Sequence, residues 1–321
     1  MYKLVVLIFL IALPSQIYAN NKITVLAASD VSQKSIDITT DWLSIAEKEW
    51  FKKENPASKR FYPILLVLVG ADMDAAIELE KRLCSEIKER FADKYDQAFA
   101  HCTPRPDCKF GLCYITEYVN GGAAIASSRI QQGFHLMIMS SKYPGPRDHD
   151  YGMIVIHEAY HIYQSSHITE RDHDLFEKKM GGRSGDHNRE VPWWIEGTAD
   201  YMSRLLFSRQ SGVDSKYLTN HMRDILCHNV SGCPNPVKAY LKKGGKLYNY
   251  GYNEEGHQAI DTIAPWFVAY IIHNFGEESM STFYRDLDIL GFEASFQKHF
   301  EKPYREVILD FNKFIKKPVK N

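Results

Sequence analysis

His157-Glu158-Ala159-Tyr160-His161 sets two imidazoles four residues apart with a carboxylate beside the first. On a helix of 3.6 residues per turn, positions i and i+4 share one face. Both rings can therefore reach one metal ion. Glu158 sits beside them, close enough to a metal-bound water to act as its base and poorly placed to ligate. Zinc suits such a pair, since it takes imidazole and carboxylate in a tetrahedron and leaves one position open. The apolar run Met153 to Ile156 precedes the motif and would bury that helix.

A third ligand is available in Pro192-Trp193-Trp194-Ile195-Glu196-Gly197-Thr198-Ala199-Asp200-Tyr201. Glu196 and Asp200 are again four apart and share a helix face. Glu196 can complete a His-His-Glu set. Asp200, one turn on, can accept the spare N–H of a ligating imidazole and fix its orientation. Two carboxylates on a Trp-flanked apolar helix need a positive partner, and a metal with two imidazoles would supply one.

H-E-x-x-H followed by P-x-W-x-E-G-x-A-D-Y resembles the gluzincin metallopeptidases, the thermolysin-like clan with a zincin fold. The segment from Ala264 to Glu278 resembles the helix and glycine stop that follow the site in those enzymes. The resemblance spans roughly Gly121 to Leu290. It implies His157, His161 and Glu196 as ligands of one zinc ion, Glu158 as catalytic base and Asp200 as the residue that orients a ligand. Thirty-four residues separate His161 from Glu196, more than in thermolysin-like or aminopeptidase members, and the polar stretch Ser165–Val191 accounts for the excess. No G-x-M-E-N exopeptidase signature is present. Gly122-Ala123-Ala124-Ile125-Ala126 stands where that strand would lie and has no Glu to grip a substrate amine, which points towards an endopeptidase.

Hydrolysis by such a site needs a further donor for the tetrahedral intermediate. The family resemblance places it on a Tyr or His in the C-terminal half, and Tyr250 and His257 are the residues to examine. An extended peptide or protein substrate would add to the edge of a strand such as Gly122–Ser128. His149, His167, His173 and His187 lie in polar, acidic sequence and read as solvated loop residues rather than a second metal site.

Around these motifs the chain divides in two. Helical spacing runs from Ser35 to Asn55 and from Asp72 to Phe91, with Pro63–Gly70 between them as a buried strand. Leu112–Val119, Gly122–Ser128 and Phe134–Ser140 read as three strands separated by glycine turns. From Tyr151 on, helices are expected at Tyr151–Gln164 (Asp150 as N-cap), Pro192–Arg209, Asp261–Phe275, Glu277–Leu290 and Tyr304–Ile315, with Ser165–Val191 as a loop.

Met1-Tyr2-Lys3, the apolar run Leu4–Leu13 and a small residue at Ala19 form the pattern of a signal peptide over residues 1–19. Ten apolar residues are too few to span a bilayer as a helix, and no later stretch is apolar enough, so no membrane span is expected in the mature chain. Export, to the periplasm or outside the cell, would permit disulfides among Cys84, Cys102, Cys108, Cys113, Cys227 and Cys233. Cys227 with Cys233 is the simplest local pair, leaving the other four to pair among themselves. Asn229-Val230-Ser231 is a glycosylation sequon. In 321 residues, 39 Lys and Arg face 40 Asp and Glu. That balance argues against nucleic acid or an anionic membrane as a partner.

The expectation is an exported, zinc-dependent peptidase with an α+β, zincin-like fold. Residues 20–148 would form a mixed sheet with helices and residues 149–321 a mainly helical half carrying both motifs, with the active-site cleft between. Two alternatives are an exported zinc-binding interaction or structural protein, and a zinc amidohydrolase acting on a non-peptide amide.

Overall fold

Ile64-Leu65-Leu66-Val67-Leu68-Val69 is apolar at every position and buried at every position, as a strand covered on both faces must be. The computed structural model describes residues 19–20, 23–51, 60–91, 102, 115–126, 133–142, 145–146, 148–170, 172–181, 192–226, 235–250 and 254–316. Strands β1 (Ala19–Asn20), β2 (Ile23–Ala27), β3 (Ile64–Val69), β4 (Ala123–Ala126) and β5 (His135–Ser140) form one sheet in the order β1-β2-β3-β5-β4. β2, β3 and β5 run parallel, with Ile64 opposite both Ile23 and His135. β1 and β4 run antiparallel at the two edges.

Helices α1 (Gln33–Trp50) and α2 (Met73–Arg90) flank β3 in sequence. Each starts at a side-chain cap: Ser32 accepts from Ser35 N, and Asp72 from the N–H groups of Asp74 and Ala75. Such caps satisfy amides that the helix leaves unpaired. Cys84 of α2 is disulfide-bonded to Cys102, a pairing within the expected group of four. The other four cysteines, the sequon and residues 1–18 of the expected signal peptide lie outside the described residues.

The remaining helices are α3 (Tyr151–Ser166), α4 (His173–Met180), α5 (Pro192–Ser208), α6 (Tyr217–Asp224), α7 (Pro236–Lys242), α8 (Glu254–Phe275), α9 (Glu278–Phe300) and α10 (Tyr304–Ile315). The chain is thus mixed α/β and mostly helical. No described helix is long and apolar enough to cross a membrane.

Two close approaches set the helices that matter. Gly152 lets the Trp42 indole of α1 lie on α3, where a Cβ would fall 2.2 Å from the ring. Thr39 and Tyr151 hydroxyls bond at 2.6 Å beside it. Gly197 of α5 meets Ala264 of α8. Trp193, Trp194, Phe267, Phe283, Phe296 and Phe300 are buried together behind α5. Truncating one of these rings to Ala should destabilise the fold by about 3–5 kcal/mol.

Several expectations need correction. Part of Leu112–Val119 is a 3-10 helix, Thr116–Asn120, rather than a strand. Thr116 and Val119 are its buried residues, three apart, which is the period of that helix and not of a strand. Ser165–Val191 is not simply a loop. Asp172 caps α4 by accepting from Leu175 N, Phe176 and Met180 bury one face, and Gly181 ends it in a left-handed conformation. Asp288 of α9 holds this segment, accepting from the Thr169 hydroxyl, from Thr169 N at 3.0 Å and from Lys179 Nζ at 2.9 Å. Asp150 occupies the N-cap position of α3 without capping it. Its Oδ1 lies 2.7 Å from His149 Nδ1 and accepts from Tyr217 OH at 3.3 Å. The helix expected to end at Leu290 instead kinks at Gly291, with φ 72° and ψ 174°, and resumes to Phe300. β1, β2, α6 and α7 were not anticipated.

Candidate metal centre

α3 forms because Met153, Val155, Ile156, Ala159, Tyr160 and Ile162 bury against the sheet side and α1. Its polar stripe is what the core leaves over. His157 and His161 stand on that stripe with ring centroids 4.8 Å apart and Nε2 atoms 3.1 Å apart. α5 lies against α3 and brings Glu196 over both rings. Glu196 Oε2 is 3.4 Å from His157 Nε2 and 3.4 Å from His161 Nε2.

Three basic atoms thus form a triangle with edges of 3.1, 3.4 and 3.4 Å. An ion holding N and O ligands at 2.0–2.1 Å in a tetrahedron separates those ligands by about 3.3 Å. The triangle has that size, so His157, His161 and Glu196 fit one metal ion. No protein-family model matches this chain, and no curated protein matches it.

The electrostatics follow from burial and mutual charge. Burial works against a charged His161, but the Glu196 carboxylate outweighs it and raises the imidazole to about 9. Burial likewise works against the Glu196 charge, yet His161 and His157 hold that carboxyl well below its ordinary value. Glu158 is buried, 8% exposed. Burial raises its carboxyl and Glu196 adds to the effect, while His157 and His161 oppose it. A carboxyl raised in this way holds a proton more readily than an exposed one.

Asp200 lies one turn beyond Glu196, as its spacing requires. Its Oδ1 accepts from Arg204 Nε at 2.9 Å, and its Oδ2 lies 3.8 Å from His221 Nε2. Burial opposes its charge, while His221, Arg204 and His157 together keep the carboxyl low. Tyr250 packs its ring 6.1 Å from that of Tyr240. The His257 side chain lies outside the described residues, although its backbone is in α8.

One residue beside the triad escaped the sequence reading. Gln164, 1% exposed, places Oε1 2.8 Å from His161 Nδ1. Its Nε2 faces Ile195 O at 2.9 Å, Thr198 Oγ1 at 2.7 Å and Tyr284 OH at 3.2 Å. The available signal was position: Gln164 is three residues after His161 and seven after His157, so it extends their stripe. The expectation of solvated histidines also fails for His167. It is buried among the rings of Phe61, Tyr163 and Tyr284, and burial, followed by Arg60 and Arg285, lowers it to about 3. His149 is exposed and pairs with Asp150. The side chains of His173 and His187 lie outside the described residues.

Proposed function

We propose that this chain is a zinc-dependent hydrolase of peptide bonds, of the gluzincin kind with a zincin-like fold, exported and acting as an endopeptidase. The observation that carries the reading is the convergence of His157 Nε2, His161 Nε2 and Glu196 Oε2 next to a buried Glu158. A set of two nitrogens and one oxygen suits zinc among the common ions. A purely structural zinc site closes all four positions with protein ligands, and among the described residues only three such groups converge.

When bound, zinc supplies a Lewis acid that polarises a carbonyl and lowers the pKa of water to about 7. The chain's own residues supply the rest. His157, His161 and Glu196 fix the position of the ion. Glu158 takes the proton of the attacking water and passes it to the leaving amine. β4 is an edge strand, paired on one side to β5. An extended substrate adding to its outer edge would be held through main-chain hydrogen bonds.

The test is metal content and peptide cleavage together. Purified protein should carry one zinc per chain and cut a broad peptide library. Glu158→Gln should keep the zinc and lose the cleavage. Protein that takes up no stoichiometric zinc, or a Glu158→Gln variant that cuts as well as wild type, would refute the reading.

A further inference from the structure

We infer that Gln164 is a positioning residue that fixes the proton of His161 on Nδ1, so that Nε2 faces the metal, and ties that ring to the helix bearing Glu196. The inference rests on the triad being a metal site.

A main-chain carbonyl can only accept. Ile195 O lies 2.9 Å from the Gln164 amide. The amide end facing it must therefore be the NH2 group. Thr198 agrees: its hydroxyl reaches Trp194 O at 2.6 Å, another obligate acceptor, so its proton is used there and its lone pairs face Gln164 Nε2 at 2.7 Å. Turning the amide over would set Oε1 against Ile195 O, oxygen to oxygen, in a place where Gln164 is 1% exposed. An unpaired buried acceptor of that kind is strongly unfavourable.

With Nε2 of Gln164 fixed, its Oε1 faces His161 Nδ1 at 2.8 Å. An amide oxygen only accepts, so Nδ1 carries a proton. It keeps that proton whether or not Nε2 carries one as well. A metal and a proton then compete for Nε2 alone, and Nε2 is the atom that meets His157 and Glu196.

The same side chain sets the spacing of the two helices. Ile195 is the residue immediately before Glu196. Gln164 therefore grips the His161 ring with one end and the backbone next to the third ligand with the other. Tyr284 OH, 3.0 Å from Thr198 Oγ1 and 3.2 Å from Gln164 Nε2, links the bridge to α9. Partners of this kind characteristically change metal affinity when removed.

The test uses the full exported chain, metal-free and loaded with Zn2+. Imidazole 15N–1H correlation spectra should show His161 protonated at Nδ1 in both states of the wild type. Chelator competition should give Gln164→Met a zinc affinity roughly 10- to 100-fold weaker, with loss of the fixed tautomer. Gln164→Glu keeps an acceptor for Nδ1 but loses the donor to Ile195 O, so it should keep the tautomer and recover only part of the affinity. The inference is overturned if wild-type His161 carries its proton on Nε2 in the loaded protein, or if folded Gln164→Met binds zinc as tightly as wild type. It is also overturned if the Met and Glu variants behave alike. Should Gln164→Met not fold, the wild-type spectrum and the Glu variant decide. Should the wild type bind no zinc, the metal reading fails, while the metal-free spectrum still tests the hold of Gln164 on Nδ1.

Discussion

Gly197, next in the chain to Glu196, touches Ala264 of α8: a Cβ on residue 197 would lie 2.7 Å from Ala264 Cβ and 3.0 Å from its carbonyl carbon. The helix that carries the third ligand thus packs against α8 through a contact that only a glycine permits. Gly197→Ala should force α5 and α8 apart, lowering stability by about 1–3 kcal/mol and weakening zinc binding. Adding Ala264→Gly removes the side-chain clash and leaves the backbone one. The double variant should recover part of the loss and not all of it, and a double-mutant cycle on urea midpoints would read the coupling. Simple additivity of the two changes would show that this contact does not set the helix spacing.

Metal uptake should release protons. The Glu196 carboxylate raises His161 to about 9 in the metal-free protein, so the ring is charged at pH 7 and must lose a proton to ligate. Affinity for Zn2+ should therefore tighten by up to about tenfold per pH unit between pH 7 and 9 and level off above. In the metal-free fold the same raised imidazole contributes stability that is complete below about pH 6.5 and is lost as pH rises through 9. Calorimetry in buffers of different ionisation enthalpy counts the protons released. A pH-independent affinity over that range would contradict the geometry.

The Cys84–Cys102 bridge closes a loop with a sequence separation of 18 and belongs to the sheet half of the chain. Cys84→Ser with Cys102→Ser should lower stability by about 3 kcal/mol and leave zinc affinity as it is, because Cys84 lies on α2, a helix that carries no member of the triad. Thermal melts and chelator competition on the same preparation separate the two effects. A loss of zinc affinity in the folded variant would mean that the sheet half controls the ligand geometry.

The triad residues were legible because their grouping depends on spacing within two helices, and helical spacing survives any tertiary arrangement. Two imidazoles at i and i+4 on an apolar helix leave little choice about which way they face. Gln164 was not legible in the same way. Its partners, Ile195 O, Thr198 and Tyr284, come from two other helices and become neighbours only after packing. α4 was hidden for another reason. Its polar, charged composition resembles a loop, and the apolar pair Phe176 and Met180 that orders it is only two residues long. The 3-10 turn at Thr116–Asn120 was hidden because a short apolar stretch beside glycines fits a strand equally well until burial reveals a period of three.

Two histidines away from the triad make the fold sensitive to acid. His135 sits on β5, buried, with Nε2 2.8 Å from Arg60 O, to which it donates, and Nδ1 without a hydrogen-bond partner among the described residues. Burial lowers it to about 4, against the opposing effect of the Arg60 carbonyl. His167 is lowered to about 3 by burial and by the charges of Arg60 and Arg285. Both stay neutral in the folded chain while their unfolded counterparts charge below about pH 6.5. The unfolded state then binds more protons, so stability falls as pH drops from 6.5 towards 4 and is complete above 6.5. Each group should remove about 2 kcal/mol between pH 7 and pH 5. His167→Phe, placed among the rings of Phe61, Tyr163 and Tyr284, should remove its share of that slope. Urea titrations of metal-free wild type and variant at pH 7, 6 and 5 would measure it. A variant that loses stability on acidification as steeply as wild type would show that His167 is charged in the folded protein.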